Sequence, residues 1–130
     1  MTIKQISAFL ENSPGHLRKV CKVLADARVN LRTITIAETA NFGVLRAIVD
    51  DNAAAMQALA AAGIRAKEVE VLALPVDDCS GALLPLLEKI EQHSLNVEYM
   101  YAYTPGGSSL PVMIMKFSDL EKAKAVMTND

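Results

Sequence analysis

A short phrase recurs in this chain 66 residues downstream, and the repeat limits what the chain can fold into more than any single residue does. Asn12-Ser13-Pro14-Gly15-His16-Leu17 opens a run that ends in Val29-Asn30-Leu31. Asp78-Cys79-Ser80-Gly81-Ala82-Leu83 opens a second that ends in Leu95-Asn96-Val97. One register relates them: Gly15 to Gly81, Leu17 to Leu83, Val20 to Leu86, Leu24 to Ile90, Asn30 to Asn96 and Ile48 to Ile114. A constant offset over so much of each run means two copies of one small module. The 130 residues therefore divide into modules near the size at which a lone core is marginal, so association beyond the monomer is expected.

Hydrophobic residues make up 52% of the chain and aromatic residues 5%, which calls for an aliphatic core. No apolar run approaches the ~18 residues of a membrane span. Met1 to Ser13 lacks the basic start and apolar stretch of a signal peptide, and a cytoplasmic location is expected. Cys21 falls on the apolar side of a helix and reads as a small buried hydrophobe. Cys79 sits in the second loop, and two lone cysteines without a Cys/His cluster imply no metal site. No cofactor is expected. A net charge of −2 gives no general attraction to nucleic acid. Residues 1–66 balance at +3 and residues 67–130 at −5. That is either drift between copies or complementary faces.

Ile3 to Leu10 reads as a strand. Ser13 is a candidate helix cap and Pro14 suits a first helical position. Leu17, Val20, Cys21, Leu24 and Ala27 then follow helical spacing to about Arg28. Val29 to Ala37 and Val44 to Val49 are predicted strands, joined by a turn through Glu38-Thr39-Ala40-Asn41. Asp50-Asp51-Asn52 starts an alanine-rich helix, Ala53 to Ala62, that Gly63 ends. Ile64 to Val69 is a fourth strand. The second copy repeats the order: strand 69–76, helix from Gly81, strands 95–103 and 112–117, helix 120–127. Thr104 to Ser109 forms a turn. Pro85 is expected to delay or kink its helix. The sequence ends at Asp130, so the second copy is expected to lack its last strand. Without a linker between copies, Ile64 to Val76 is expected to be one extended segment ending one module and starting the next. The predicted class is α+β: two βαββαβ modules, 1–68 and 69–130, with antiparallel sheets and helices on one face.

Function is sought at the glycine loops. A helix N-terminus presents unpaired N–H groups and a partial positive charge, and glycine lets an anion come close to them. Asn12 offers a carbonyl and an amide to a zwitterion, whereas an ionised Asp78 only accepts. The same phrase is also an ordinary strand-to-helix turn. No phosphate-cradling nucleotide motif is present.

Phe9-Leu10-Glu11-Asn12-Ser13-Pro14-Gly15-His16-Leu17, followed by Leu24-Ala25-Asp26-Ala27-Arg28-Val29-Asn30-Leu31, resembles an ACT domain. Asn41 to Asp51 is similar to stand-alone tandem ACT proteins of prokaryotes. The resemblance implies a ferredoxin-like fold in both modules and a small ligand, most often an amino acid, held at interfaces between modules. Carried over residue by residue, it implicates Asn12, Ser13, Pro14, Gly15, His16 and Leu17 in the first loop. In the second loop it implicates Asp78, Gly81, Ala82 and Leu83, with Ser80 where the motif has proline.

Other residues read more plainly. His93 sits near a helix end and reads as structural. Arg46 interrupts an apolar strand and either pairs with Glu38 or Asp50 or holds a ligand carboxylate. Tyr99, Tyr101 and Tyr103 share one strand face, read as a packed interface in preference to a base-stacking one. The expectation is a non-catalytic, homodimeric, amino-acid-binding regulatory protein. The alternative is a regulatory subunit of an amino-acid or 2-oxo-acid enzyme, acting by protein contact. Neither nucleic acid nor membrane is an expected partner. An independent enzyme is the weakest reading, since no triad, metal set or paired carboxylates are evident.

Overall fold

In a computed structural model the chain forms, in order, β1 (Thr2–Glu11), α1 (His16–Asp26), β2 (Leu31–Glu38), β3 (Phe42–Val49), α2 (Asn52–Ala61), β4 (Ala66–Pro75), α3 (Leu83–Gln92), β5 (Val97–Tyr103), β6 (Val112–Phe117) and α4 (Leu120–Met127). The structure describes residues 1–11, 13–38, 42–105 and 110–127. The expected turns at 39–41 and 106–109 fall outside them, as does Asn12. None of the described helices is long and apolar enough to cross a membrane.

Contacts divide the chain into two units, Lys4–Val69 and Met1–Ile3 with Glu70–Asp130. In the first unit the strand order is β2-β3-β1-β4. The β1–β3 and β2–β3 pairs are antiparallel. Ile6, Ala8, Leu10, Leu45, Ala47 and Val49 occupy alternate strand positions and so share one face. Val20 and Leu24 of α1 and Ala55 and Leu59 of α2 close over that face. Both helices thus cover one side, as the amphipathic spacing of α1 and the small alanines of α2 permit. On the other side of β1, Gln5 and Ser7 are buried, and the Gln5 Nε2–H donates to Ser7 Oγ at 3.1 Å. That bond supplies a partner for polar groups that are costly to bury alone.

The second unit has its own aliphatic core of Leu72, Leu74, Ile90, Met115, Phe117, Ala123 and Met127. Its neighbour order is β1-β4-β6-β5. No strand follows α4 among the described residues. The place beside β4 that a last strand would occupy is taken by the start of β1: the Ala73 N–H donates to Met1 O at 2.7 Å. The single ten-residue strand β4 ends one module and begins the next, as the uninterrupted 64–76 segment implies.

The repeat extends to backbone detail. Gly15 and Gly81 take φ of 90° and 79°, and Arg28 and Ser94 take 59° and 54°. The pairing register shifts between Leu31 and Thr33 in β2, and between Val97 and Tyr99 in β5. All these positions keep the 66-residue offset. Beyond the hairpins the offset changes. Thr35 faces Arg46 while Tyr101 faces Ile114, so the counterpart of Arg46 is Ile114 and that of Ile48 is Lys116. The assignment of Ile48 to Ile114 is therefore wrong by two residues, because the second hairpin connection is two residues longer. The helix caps keep the new offset. Asp51 Oδ1 accepts from the Ala54 N–H at 3.0 Å, and Asp119 Oδ1 from the Lys122 N–H at 3.1 Å.

Asp51→Ala is expected to cost about 1 kcal/mol of stability, the usual loss for a side-chain cap. A urea unfolding midpoint that does not move would show that the cap bond contributes nothing.

Candidate functional site

α1 does not begin as the sequence suggests. Gly15, in the left-handed region, is its cap residue, no side chain caps it, and helical geometry starts at His16. Ser13 therefore does not cap and Pro14 is not the first helical residue. A positive φ cannot belong to the helix itself, so the turn must be completed before it. The His16 N–H donates to Ser13 O at 3.4 Å, and the Lys19 N–H closes the first helical bond on Gly15 O at 2.9 Å. A Cβ built on Gly15 meets no atom within 4 Å, so the mouth of the helix is open to an approaching ligand. The second loop repeats the turn: Gly81 has positive φ and a Cβ there also meets nothing within 4 Å. Its helix starts at Leu83, one residue later than the counterpart of α1, which places Pro85 in the first turn, where a missing N–H is tolerated.

Around the first loop, Glu11 and His16 face each other with Oε2 and Nε2 3.7 Å apart. Leu17, expected on the buried side of α1, is 42% exposed, while Val20 and Leu24 are the buried residues of that helix. It stands near Ile36, itself 44% exposed. Cys21 is half-buried, so it is not the fully buried hydrophobe expected, and Cys79 is exposed.

Two cavities flank this loop. The smaller, about 90 Å³, lies on the β2 side, between Ser13, His16 and Leu17 and the strand residues Ile36, Glu38 and Gly43. The larger, about 320 Å³, lies on the other side, against Lys19, Val20, Phe42 and the turn Gly63-Ile64-Arg65. Leu10, Glu11 and His16 border both. The structure thus gathers Ser13, His16 and Leu17 at one cleft, with Gly15 at its helix end. Asn12 lies outside the described residues. In the second unit Asp78 and Gly81 are exposed, and Ala82 and Leu83 half-buried, at the start of α3.

Sequence reasoning did not single out Ile36, Gly43, Lys19 or Arg65, and named Glu38 only as a partner for Arg46. The signal for Arg65 was available: it follows the helix-ending Gly63 and enters β4, which in a βαββαβ sheet runs beside β1. The Phe9 N–H donates to Arg65 O at 2.9 Å.

Of the remaining candidates, Arg46 faces Ser7 on one side and Thr35 on the other, and Glu38 faces Gly43. His93 Nδ1 lies 3.0 Å from Lys89 O at the end of α3. Tyr99, Tyr101 and Tyr103 face Lys116, Ile114 and Val112 and are half-buried. Among the described residues no group of three or more His, Cys, Asp or Glu gathers as metal ligands.

The family described as an ACT domain pair matches residues 1–130. Protein BT0572 from Bacteroides thetaiotaomicron is 33% identical, with a TM-score of 0.89 over 98% of this chain and 88% of that one. The regulatory subunit of aspartate kinase from Thermus thermophilus, in its ligand-free form, is 16% identical, with a TM-score of 0.61 over 98% and 91%. E. coli aspartokinase III in complex with lysine and aspartate is 18% identical, with a TM-score of 0.56 over 97% of this chain and 30% of that one. The last two likenesses show the fold alone. A comparison with curated protein sequences found no match.

Proposed function

This chain belongs to the ACT domain pair family, and from that premise we propose that it is a non-catalytic regulatory protein that binds an amino acid at the first glycine loop. The observation that carries the reading is the open left-handed turn at Gly15, repeated at Gly81, with the 90 Å³ cleft beside it. The first-turn N–H groups of α1 have no side-chain cap, so they are donors for a carboxylate. Glu38 and Glu11 border the same cleft and are acceptors for an ammonium. Ile36 and Leu17 supply apolar contact for a side chain. The cleft is small and shallow for a free amino acid, and a second module closing over it would complete the enclosure. A ligand held between modules favours the packing that holds it best. The second loop, Asp78 to Leu83, has the same turn and is proposed as a weaker site.

The test is the melting temperature of the purified chain against each of the twenty amino acids. A ligand confined to the folded state adds about 2.7 kcal/mol at a hundred times its dissociation constant. A shift restricted to one chemical group supports the reading. No shift with any of them sinks it.

A second reading, regulation through protein contact with a metabolic enzyme, is favoured by a different observation. Leu17, Ile34 and Ile36 are all more than one-third exposed, and β2 ends the strand order of its unit. An edge strand with exposed apolar neighbours is a template for pairing with another chain. A second copy of this chain, giving a homodimer, would use the same edge. Co-purification of a larger enzyme, lost on Ile36→Lys, would favour the enzyme partner. Sedimentation as a dimer that Ile36→Lys dissociates would favour the second copy.

A further inference from the structure

We propose that the 320 Å³ cavity on the far side of the loop is a second, separate site for a small organic monoanion: a carboxylate with a compact apolar body and no amine. It lies wholly within the first module and stands whether or not the β2-side cleft takes an amino acid. Its volume is at the lower end of the range of small-molecule sites, roughly 300–1,000 Å³. The floor is apolar, with Leu10 and Val20 buried beneath it and Ile64 half-buried beside it. Lys19 comes from α1 and Arg65 from the start of β4, and neither has an ion pair among the described residues. The turn between them is open, since a Cβ on Gly63 meets no atom within 4 Å.

Charge selects the ligand class. Lys19 and Arg65 stand against the single carboxylate of Glu11, a formal excess of one positive charge among these three side chains. A monoanion matches that charge, whereas a phosphate dianion leaves an excess beside Glu11. The amine of a zwitterion would meet two cations, with Glu11 the single carboxylate in this lining to offset them. The arginine fork suits a carboxylate in particular.

The experiment is a nuclear magnetic resonance titration of the whole ¹⁵N-labelled chain with isovalerate and phenylacetate, using isovaleramide and phenylacetamide as neutral controls. The carboxylates are expected to move the amide signals of Lys19, Val20, Ile64 and Arg65 saturably, and the amides to bind at least roughly fivefold more weakly. Lys19→Glu with Arg65→Glu should abolish saturation without changing the melting temperature, because both side chains are exposed. If that variant melts early, Lys19→Gln with Arg65→Gln replaces it. Equal binding of amide and carboxylate, shifts confined to Leu17, Ile36 and Gly43, unchanged affinity in the variant, or no saturation at all would each overturn the proposal. The amino-acid panel uses zwitterions and is read as a melting temperature, so it fails or succeeds independently of these residue-resolved shifts.

Discussion

Phe117→Ala is expected to remove about 3–5 kcal/mol of stability, among the largest losses a single truncation can cause. Phe117 is completely buried in β6, in one cluster with Leu72, Met115, Ala123 and Met127. It is the largest of the fully buried side chains. The chain has few aromatic residues, so aliphatic neighbours surround it, and no second ring can move in to fill the space. The loss combines the transfer of the ring from water with the cavity left behind. A unit of this size has only about 3–10 kcal/mol of net stability, at 0.05–0.15 kcal/mol per residue, so the cost is comparable to the whole. Amide exchange at Leu72, Leu74, Ile114 and Met115 should rise steeply in the variant. Exchange at Leu45 and Ala47, in the other core, reports separately whether that core survives. A loss below about 1 kcal/mol would mean that Phe117 is not the centre of its core.

The residues that made the fold legible are those whose conformation leaves no choice. Gly15 and Gly81 mark the two loops that precede helices, Asp51 lies in the run that starts the alanine-rich helix, and Gly63 ends it. The apolar spacing of Val20 and Leu24 fixed the face of α1. The run from Ile64 to Val76, with no break, announced that two modules share a strand. What pattern could not supply came from length and topology. An offset read from matching residues passed over two extra residues in the second hairpin connection, because Ile48 and Ile114 agree in type and in face. Leu17 has core spacing, yet it sits in the first turn of the helix beside the open cleft, and its exposure is visible only in three dimensions. Ser13 looked like the cap because its chemistry fits, but the backbone of Gly15 decides where the helix begins. The first loop was legible as a site. The strand side of its cleft, with Ile36, Glu38 and Gly43, was not, and neither was the meeting of Lys19 and Arg65 at one cavity. These meet only because β1 lies between β3 and β4. Their separation in sequence carries no local signal.

Gly15→Asp is expected to erase ligand-induced stabilisation by an amino acid while leaving the fold intact. The two halves of that expectation have different physics. For the fold, the new Cβ meets no atom within 4 Å, so the cost is that of a φ of 90°, roughly 1–2 kcal/mol for an L-residue. Aspartate is among the residues that tolerate this region best, and its charge is favourable at a helix N-terminus. For binding, the carboxylate is placed at the mouth of the helix, where the ligand carboxylate is proposed to meet the first-turn amides. Like charges held together cost several kcal/mol, which exceeds a hundredfold in affinity. Gly15→Asn separates charge from bulk: it tolerates the same φ but brings no charge, and should retain part of the affinity. Gly81→Asp applies the same test to the second loop, and a fractional loss there would assign it a share of the binding. If Gly15→Asp melts within a few degrees of the parent and still responds fully to the amino acid that stabilises the parent, the first loop is not where that ligand binds. If it melts far lower, Gly15→Asn decides, since it carries the same backbone strain without the repelling charge.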